Sequence, residues 1–309
     1  ATLLYNFGAA ILRAKGDTKR PLYYLFLSGV INVLLNLFLV IEIGLGVAGV
    51  AIATIVSQWI SAYLIFLCLK KEDGPIRLNV KDLKVNTRCL KEIAAIGLPA
   101  GIQSSLFSLS NVVIQSSVNS FGSTIMAGNS AGQNLEGFVY VAMNAFSQAA
   151  MTFIGQNIGA NKIHRVKEIL IKSLIMVAIV GAVIGNLVFL ISDKLLAIYN
   201  SEPEVIAAGI NRLKYIAVPY FFCGLMDLMV GALRGVGYSV MPMIVSLIGA
   251  CALRLIWIAT IFAKVRTIDC LYISYPISWI ITFTVHLICW LVVARKKLKS
   301  LEAKAALEL

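Results

Sequence analysis

Apolar stretches of roughly twenty residues recur along almost the whole chain, separated by short segments that hold nearly all of its charge. A helix rising about 1.5 Å per residue needs about 20 apolar residues to cross some 30 Å of hydrocarbon. Taken between charge clusters, the runs fall at 1–13, 21–41, 47–69, 93–118, 128–157, 173–192, 210–233, 242–262 and 270–294, which predicts eight crossings after one partial helix. The chain has 309 residues, 59% hydrophobic and 14% charged, far more apolar surface than one or two soluble domains can bury. An all-α polytopic membrane protein is expected. Pro21 and Pro242 stand where helices begin, a place that tolerates a missing N–H, and Gly44 and Gly46 mark a hairpin turn.

The loops predict orientation. One side collects 21 Lys and Arg: four around the first turn (Arg13, Lys15, Lys19, Arg20), seven in the connector at 70–91, four around 162–172, Arg234, and five in the tail. The other side holds Lys194, Arg212, Lys214, Lys264 and Arg266, while Arg254 lies inside a span. Cytoplasmic loops of membrane proteins are enriched in Lys and Arg, so the connector and carboxyl terminus are expected in the cytoplasm of a cell whose inner (plasma) membrane holds the chain. That asymmetry accounts for the net charge of +12 without nucleic acid as a partner. The six cysteines are widely spaced and mostly apolar in context, which suits small hydrophobic residues better than a disulfide framework or metal site. No nucleophile, base and orienting group cluster as an enzyme would require, so no catalytic residue and no cofactor is expected.

An internal repeat is visible. The pattern Leu-Arg-x-x-Gly-x-x-x-x-Pro occurs at Leu12, Arg13, Gly16 and Pro21 and again at Leu233, Arg234, Gly237 and Pro242, each pair 221 positions apart. Both copies end one helix and start the next on the same side, so the repeat is parallel, about an axis along the membrane normal. It predicts two six-helix lobes in a parallel pseudo-twofold arrangement. The regions are then 1–69 as the end of helix 4 with helices 5 and 6 of an incomplete first lobe, 70–91 as a basic connector, 92–295 as the six-helix second lobe, and 296–309 as a tail. Measured against the second lobe, roughly three and a half helices of the first would precede Ala1.

Charge at mid-bilayer is costly unless paired or hydrated, which makes each deep ionisable residue a candidate for function. Glu136, Asp227 and Arg254 are the deep ones. Glu136 belongs to a stripe of Gln133, Glu136, Tyr140, Asn144 and Gln148 on one helical face, and Gln103, Ser110, Asn111 and Gln115 form a second stripe on the preceding span. Two readings stand side by side. Glu136 and Asp227 bind a coupling or substrate cation, or one of them is held by Arg254 in a structural ion pair. His286 is either a proton relay or a hydrogen-bonded structural residue.

Several stretches, Leu3-Leu-Tyr-Asn-Phe-Gly-Ala-Ala-Ile-Leu-Arg13, Gly46-Val-Ala-Gly-Val-Ala51, Gly155-Gln-Asn-Ile-Gly-Ala160 and Gly231-Ala-Leu-Arg-Gly-Val-Gly237, in this order and spacing, resemble the multidrug and toxic compound extrusion (MATE) family. The resemblance implies a monomeric secondary active exporter in the lipid bilayer that extrudes small amphipathic, mostly cationic compounds by alternating access, with H⁺ or Na⁺ as coupling ion. A coupling Na⁺ or proton would then bind near Glu136 or Asp227, the deep acids. Many family members carry an Asp in the fifth helix; here Asn36 of Asn32-Val-Leu-Leu-Asn36 stands there, able to coordinate a cation through its carbonyl but unable to titrate. Others use a carboxylate in the tenth helix, about one turn from Asp227. The nearest alternative is a lipid-linked oligosaccharide or cell-wall precursor flippase of the same superfamily. One deep Arg against two deep acids speaks for a cationic substrate instead.

Overall fold

The structure, a computed structural model, describes residues 1–307; the last two residues of the tail expected at 296–309 lie outside it. Every regular element among the described residues is helical. The chain divides into two compact units, Ala1–Asn86 and Thr87–Leu309.

The first unit holds α1 (Thr2–Lys15), α2 (Lys19–Glu42) and α3 (Gly46–Lys71). Tyr5, Ala9 and Leu12 of α1 recur at one helical face and pack on Ile65 and Leu69 of α3. The following segment folds back: the Leu78 N–H donates to the Leu69 carbonyl at 2.9 Å, and Ile76 and Leu78 cover the same cluster. Glu72 fixes this corner, accepting hydrogen bonds from Lys15 Nζ at 2.6 Å and from Arg20, which also pairs with Asp17. Those two hydrogen bonds hold the Glu72 carboxyl below the usual carboxylate range. A carboxyl whose folded pKa is depressed stabilises above its unfolded value and loses that contribution as pH falls through the folded one. Glu72→Gln is therefore expected to lower the melting temperature at pH 7, and the difference from wild type should begin to shrink as pH falls past the ordinary carboxylate range and disappear once pH is below the depressed folded value. A difference that persists unchanged at pH 3 would contradict the clamp.

The second unit comprises α4 (Thr87–Asn119), α5 (Ser123–Gly159), α6 (His164–Leu190), the short α7 (Ser192–Ala197), α8 (Pro203–Ile216), α9 (Tyr220–Gly235), α10 (Val240–Phe262) and α11 (Ile268–Leu301). Seven helices among the described residues are long and apolar enough to span a membrane, or eight when α8 and α9 count as one broken span. That pair corrects the straight crossing expected at 210–233: α8 and α9 meet at a 50° bend. Pro219 caps α9 at the break; it lacks an N–H, and its ring excludes a continuous helix through the preceding turn. Pro99, by contrast, leaves α4 unbroken.

The core of this unit lies where α5, α6, α9 and α11 meet, around Met143, Val177, Met229, Leu233 and Tyr272. The Met143 sulfur fills the space left by two glycines, standing 2.8 Å from where a Cβ on Gly181 or Gly224 would sit. Outward faces remain apolar and uncovered, with Phe138, Val141, Val183 and Leu190 60–75% exposed, as lipid contact requires.

The two repeat copies fold alike. Gly16 and Gly237 both adopt a left-handed backbone, φ +99° and +95°, that a side chain would strain. In each, the glycine N–H bonds the arginine carbonyl (Arg13 at 2.9 Å, Arg234 at 2.8 Å). The next N–H bonds the leucine carbonyl (Leu12 at 3.0 Å, Leu233 at 2.9 Å), which satisfies the last carbonyls of the helix. A π-type turn then closes α2 at Phe38–Glu42 and α10 at Ile258–Phe262, nearly the same distance beyond each glycine.

Candidate functional site

A cavity of about 700 Å³ opens within the second unit. Its walls come from α4 (Gln103, Asn111, Gln115), α5 (Gln133, Glu136, Tyr140), α8 (Arg212), α9 (Tyr220, Cys223, Asp227), α10 (Arg254) and α11 (Tyr275, Trp279). Most of the two polar stripes thus meet across one space.

Small residues on α5 bring α8 close. A Cβ on Gly128 would stand 2.5 Å from the Val205 carbonyl oxygen and 2.7 Å from the Ala208 Cβ, and one on Gly132 3.0 Å from Arg212 Cδ. This proximity carries Arg212 across to α5. Its Nε donates to Glu136 Oε1 at 2.8 Å and its Nη2 to Glu136 Oε2 at 2.7 Å, a two-pronged pair, while Nη1 donates to Asn129 Oδ1 at 2.6 Å. Tyr272 donates its hydroxyl to the same Asn129 oxygen at 3.2 Å, and the guanidinium lies 5.5 Å and 5.7 Å from the ring centres of Tyr272 and Tyr275. Asn129 and Gln133 both donate to Gln115 Oε1, tying α4 into the network. Glu136 and Arg212 are 6% and 2% exposed, so the pair is largely withdrawn from water at the cavity wall. Gly128→Ala is expected to cost about 1–3 kcal/mol of stability, because the obstructing atoms are backbone or the Ala208 Cβ fixed to it and cannot swing aside. Gly137→Ala on the same helix, with open space around it, should cost nothing. Thermal denaturation in detergent compares the two.

This pairing corrects the expected partner. Arg254 is not the ion-pair residue; Arg212, counted above among the loop cations, is. Arg254 instead donates Nε to Ser278 Oγ at 2.7 Å and lies 4.3 Å from the centre of the Tyr275 ring and 5.7 Å from that of Trp279. The deep charges are therefore two acids and two arginines, so the acidic excess expected from sequence is absent among the described residues.

Asp227 differs from Glu136. Its backbone carbonyl accepts from Ser147 Oγ at 2.8 Å, but no hydrogen bond or ion pair within 4.0 Å joins its carboxylate to another described residue. Gln103 Oε1 accepts from Arg234 Nη2 at 2.9 Å, which ties α4 to the end of α9. Asn144 and Gln148 continue the α5 stripe but do not line the cavity. Asn36 lies in the first unit, where its Nδ2 donates to Asn32 Oδ1 at 3.1 Å; Asn32 in turn donates to Ser57 Oγ at 3.2 Å, and Asn36 Oδ1 is buried without a partner. His286 is fully buried, with Nε2 3.1 Å from Ser246 Oγ, outside the cavity.

Asn129, Arg212 and Tyr272 were not visible as site residues in the sequence. The signal for Arg212 existed: Val205, Ala208, Gly209, Arg212, Leu213 and Ile216 all fall on the buried face of α8 at helical spacing, which places the cation on the apolar side.

A profile of the MatE family matches residues 99–260, and a profile of the lipid II flippase MurJ matches residues 2–122. The probable multidrug resistance protein NorM of Thermotoga maritima is 28% identical over 252 residues, 80% of this chain and 54% of that protein. The probable multidrug resistance protein YpnP of Bacillus subtilis is 31% identical over 252 residues, 81% of this chain and 56% of that one. The chain thus spans little more than half the length of these relatives. Among solved structures, the Vibrio cholerae MATE transporter VcmN in its bent form superposes with a TM-score of 0.83 at 22% identity, over 97% of this chain and 67% of that one.

Proposed function

Because the chain belongs to the MatE family, we propose that it acts in a multidrug exporter, its cavity one wall of a path by which small amphipathic molecules leave the cell across the plasma membrane. The observation that carries this reading is the cavity itself: aromatic and polar groups around 700 Å³, inside helices whose outer faces are apolar. Spaces of a few hundred Å³ with convergent polar groups suit drug-sized ligands. The connector and carboxyl terminus face the cytoplasm, where the Lys and Arg excess would hold them.

Coupling falls to Asp227. Glu136 is occupied by Arg212 through two hydrogen bonds, whereas the Asp227 carboxylate faces the cavity without a partner and is free to take H⁺, Na⁺ or a substrate cation. Glu136 then acts as a positioning residue that fixes α8 against α5. Asn36 and the polar track of Asn32 and Ser57 offer a carbonyl-based cation site in the first unit. Proteoliposomes loaded with ethidium and given an inward pH or Na⁺ gradient test the reading: gradient-dependent efflux supports it, and efflux indifferent to both gradients removes coupling.

The flippase reading has one observation in its favour, the MurJ match over residues 2–122. The cavity weakens it, since Arg212 is neutralised by Glu136 and a phosphate-binding space with a large cationic excess is not formed. Movement of a labelled polyprenyl pyrophosphate lipid without movement of any dye would reverse this order.

A further inference from the structure

Arg254 is a buried arginine of the second unit that no carboxylate of the described residues neutralises. It is 4% exposed and lines the cavity, yet its Nη2 is buried without a hydrogen-bond partner, and no carboxylate of the described residues comes within 4.0 Å of it. A buried guanidinium in this condition is costly unless something anionic meets it. Ser278 takes only Nε, which fixes the plane of the group, and Tyr275 and Trp279 hold it by ring contacts. Tyr275 and Trp279 also meet edge to face at 5.9 Å, and Tyr220 meets Trp279 at 5.3 Å, so the three rings form a rigid aromatic wall beside the guanidinium. None of these contacts uses the terminal nitrogens that recognise oxyanions end-on.

We propose that Arg254 and the Tyr220, Tyr275 and Trp279 wall form an oxyanion subsite of the cavity, which takes the carboxylate of an aromatic amphipathic substrate. The rings accept the flat apolar body, and the terminal guanidinium nitrogens donate to the acid. Asp227, on α9 of the same cavity, leaves a second and oppositely charged contact. Molecules carrying both an amine and a carboxylate are thereby accommodated as well as acids, whereas a purely cationic compound leaves Arg254 uncompensated. This inference rests on the cavity being the substrate path, but it concerns binding, and binding is measured apart from transport.

The experiment compares 1-pyrenebutyrate with its methyl ester, two probes of nearly equal shape that differ in charge. Energy transfer from tryptophan to pyrene reports binding to the purified chain in detergent, with protein-free micelles as the baseline. The expected result is binding of the acid at least about ten-fold tighter than of the ester, as one charge-assisted, desolvated contact gives. Arg254→Gln should bring acid and ester to parity, and Arg254→Lys should keep part of the preference. Equal affinities in the wild type would overturn the proposal, a comparison that requires no variant to fold. So would an unchanged preference in a monodisperse Arg254→Gln protein. Competition separates sources of the oxyanion: benzoate should displace pyrenebutyrate, while displacement by farnesyl phosphate with none by benzoate would assign the subsite to a lipid headgroup and overturn the aromatic-carboxylate assignment. Failure of ethidium efflux with the acid preference intact would instead count against the transport reading and leave the subsite standing.

Discussion

Arg212→Gln is expected to be the most destabilising single substitution at the site, costing about 3–5 kcal/mol, because it strands a buried carboxylate. Glu136 has no other charged partner among the described residues, and both its oxygens depend on the guanidinium. The loss extends to Asn129, whose carbonyl oxygen accepts from Arg212 Nη1. Glu136→Gln should also destabilise, since it leaves a buried cation, but less, because Asn129 and the Tyr272 and Tyr275 rings still attend the guanidinium. The double replacement Glu136→Gln with Arg212→Gln removes both charges and should recover most of the loss. Buried pairs are often close to neutral against an uncharged replacement, even though breaking one is expensive. Chemical or thermal denaturation of the four proteins gives the coupling energy directly. Additive effects of the two single changes would mean that the pair does not exist.

That pair also marks the limit of what the sequence discloses. The membrane class, the helical runs and the Leu-Arg-x-x-Gly turns were legible because they follow from span length, charge placement and glycine stereochemistry, which act locally. Gln133, Glu136 and Tyr140 were legible as one face for the same reason: helical spacing alone brings them together. The partner of Glu136 was not. Taken as a uniform apolar run, 210–233 conceals that Pro219 bends the span by 50° and leaves α8 as a separate amphipathic helix whose face begins at Val205. Without the bend, Arg212 counts as a loop cation near a membrane surface. With it, Arg212 belongs to the packed face of α8, against glycines of α5 that admit a long side chain. Arg254 was found by its depth, but its neighbours Tyr275, Trp279 and Ser278 come from a helix more than 20 positions later, a pairing that no local pattern encodes. With Arg212 on the packed face of α8, the deep charges form a balanced set of two acids and two arginines.

Asp227→Asn is expected to have the opposite profile to Arg212→Gln: little change in stability and a large loss of coupled transport. Its carboxylate makes no hydrogen bond or ion pair within 4.0 Å with the described residues, so an isosteric amide removes no hydrogen bond and only the longer-range attraction of Arg234. The backbone carbonyl that anchors this turn of α9 to Ser147 is untouched by the substitution. Function should respond differently, because an amide cannot exchange a proton and binds a cation only through its carbonyl oxygen. Gradient-driven ethidium efflux in proteoliposomes should fall at least about ten-fold, the loss of one charge-assisted interaction worth about 1.5–3 kcal/mol. Downhill movement without a gradient, if it depends on the cavity alone, should persist. Glu136→Gln supplies the contrast, since a positioning residue lowers the amount of folded protein and changes efflux only in proportion. If Asp227→Asn retains full gradient-driven efflux at normal folded yield, the coupling site is elsewhere. A melting temperature that drops as far as that of Arg212→Gln would show instead that Asp227 is held by a partner in the folded protein, and its availability to a cation would fail as an explanation.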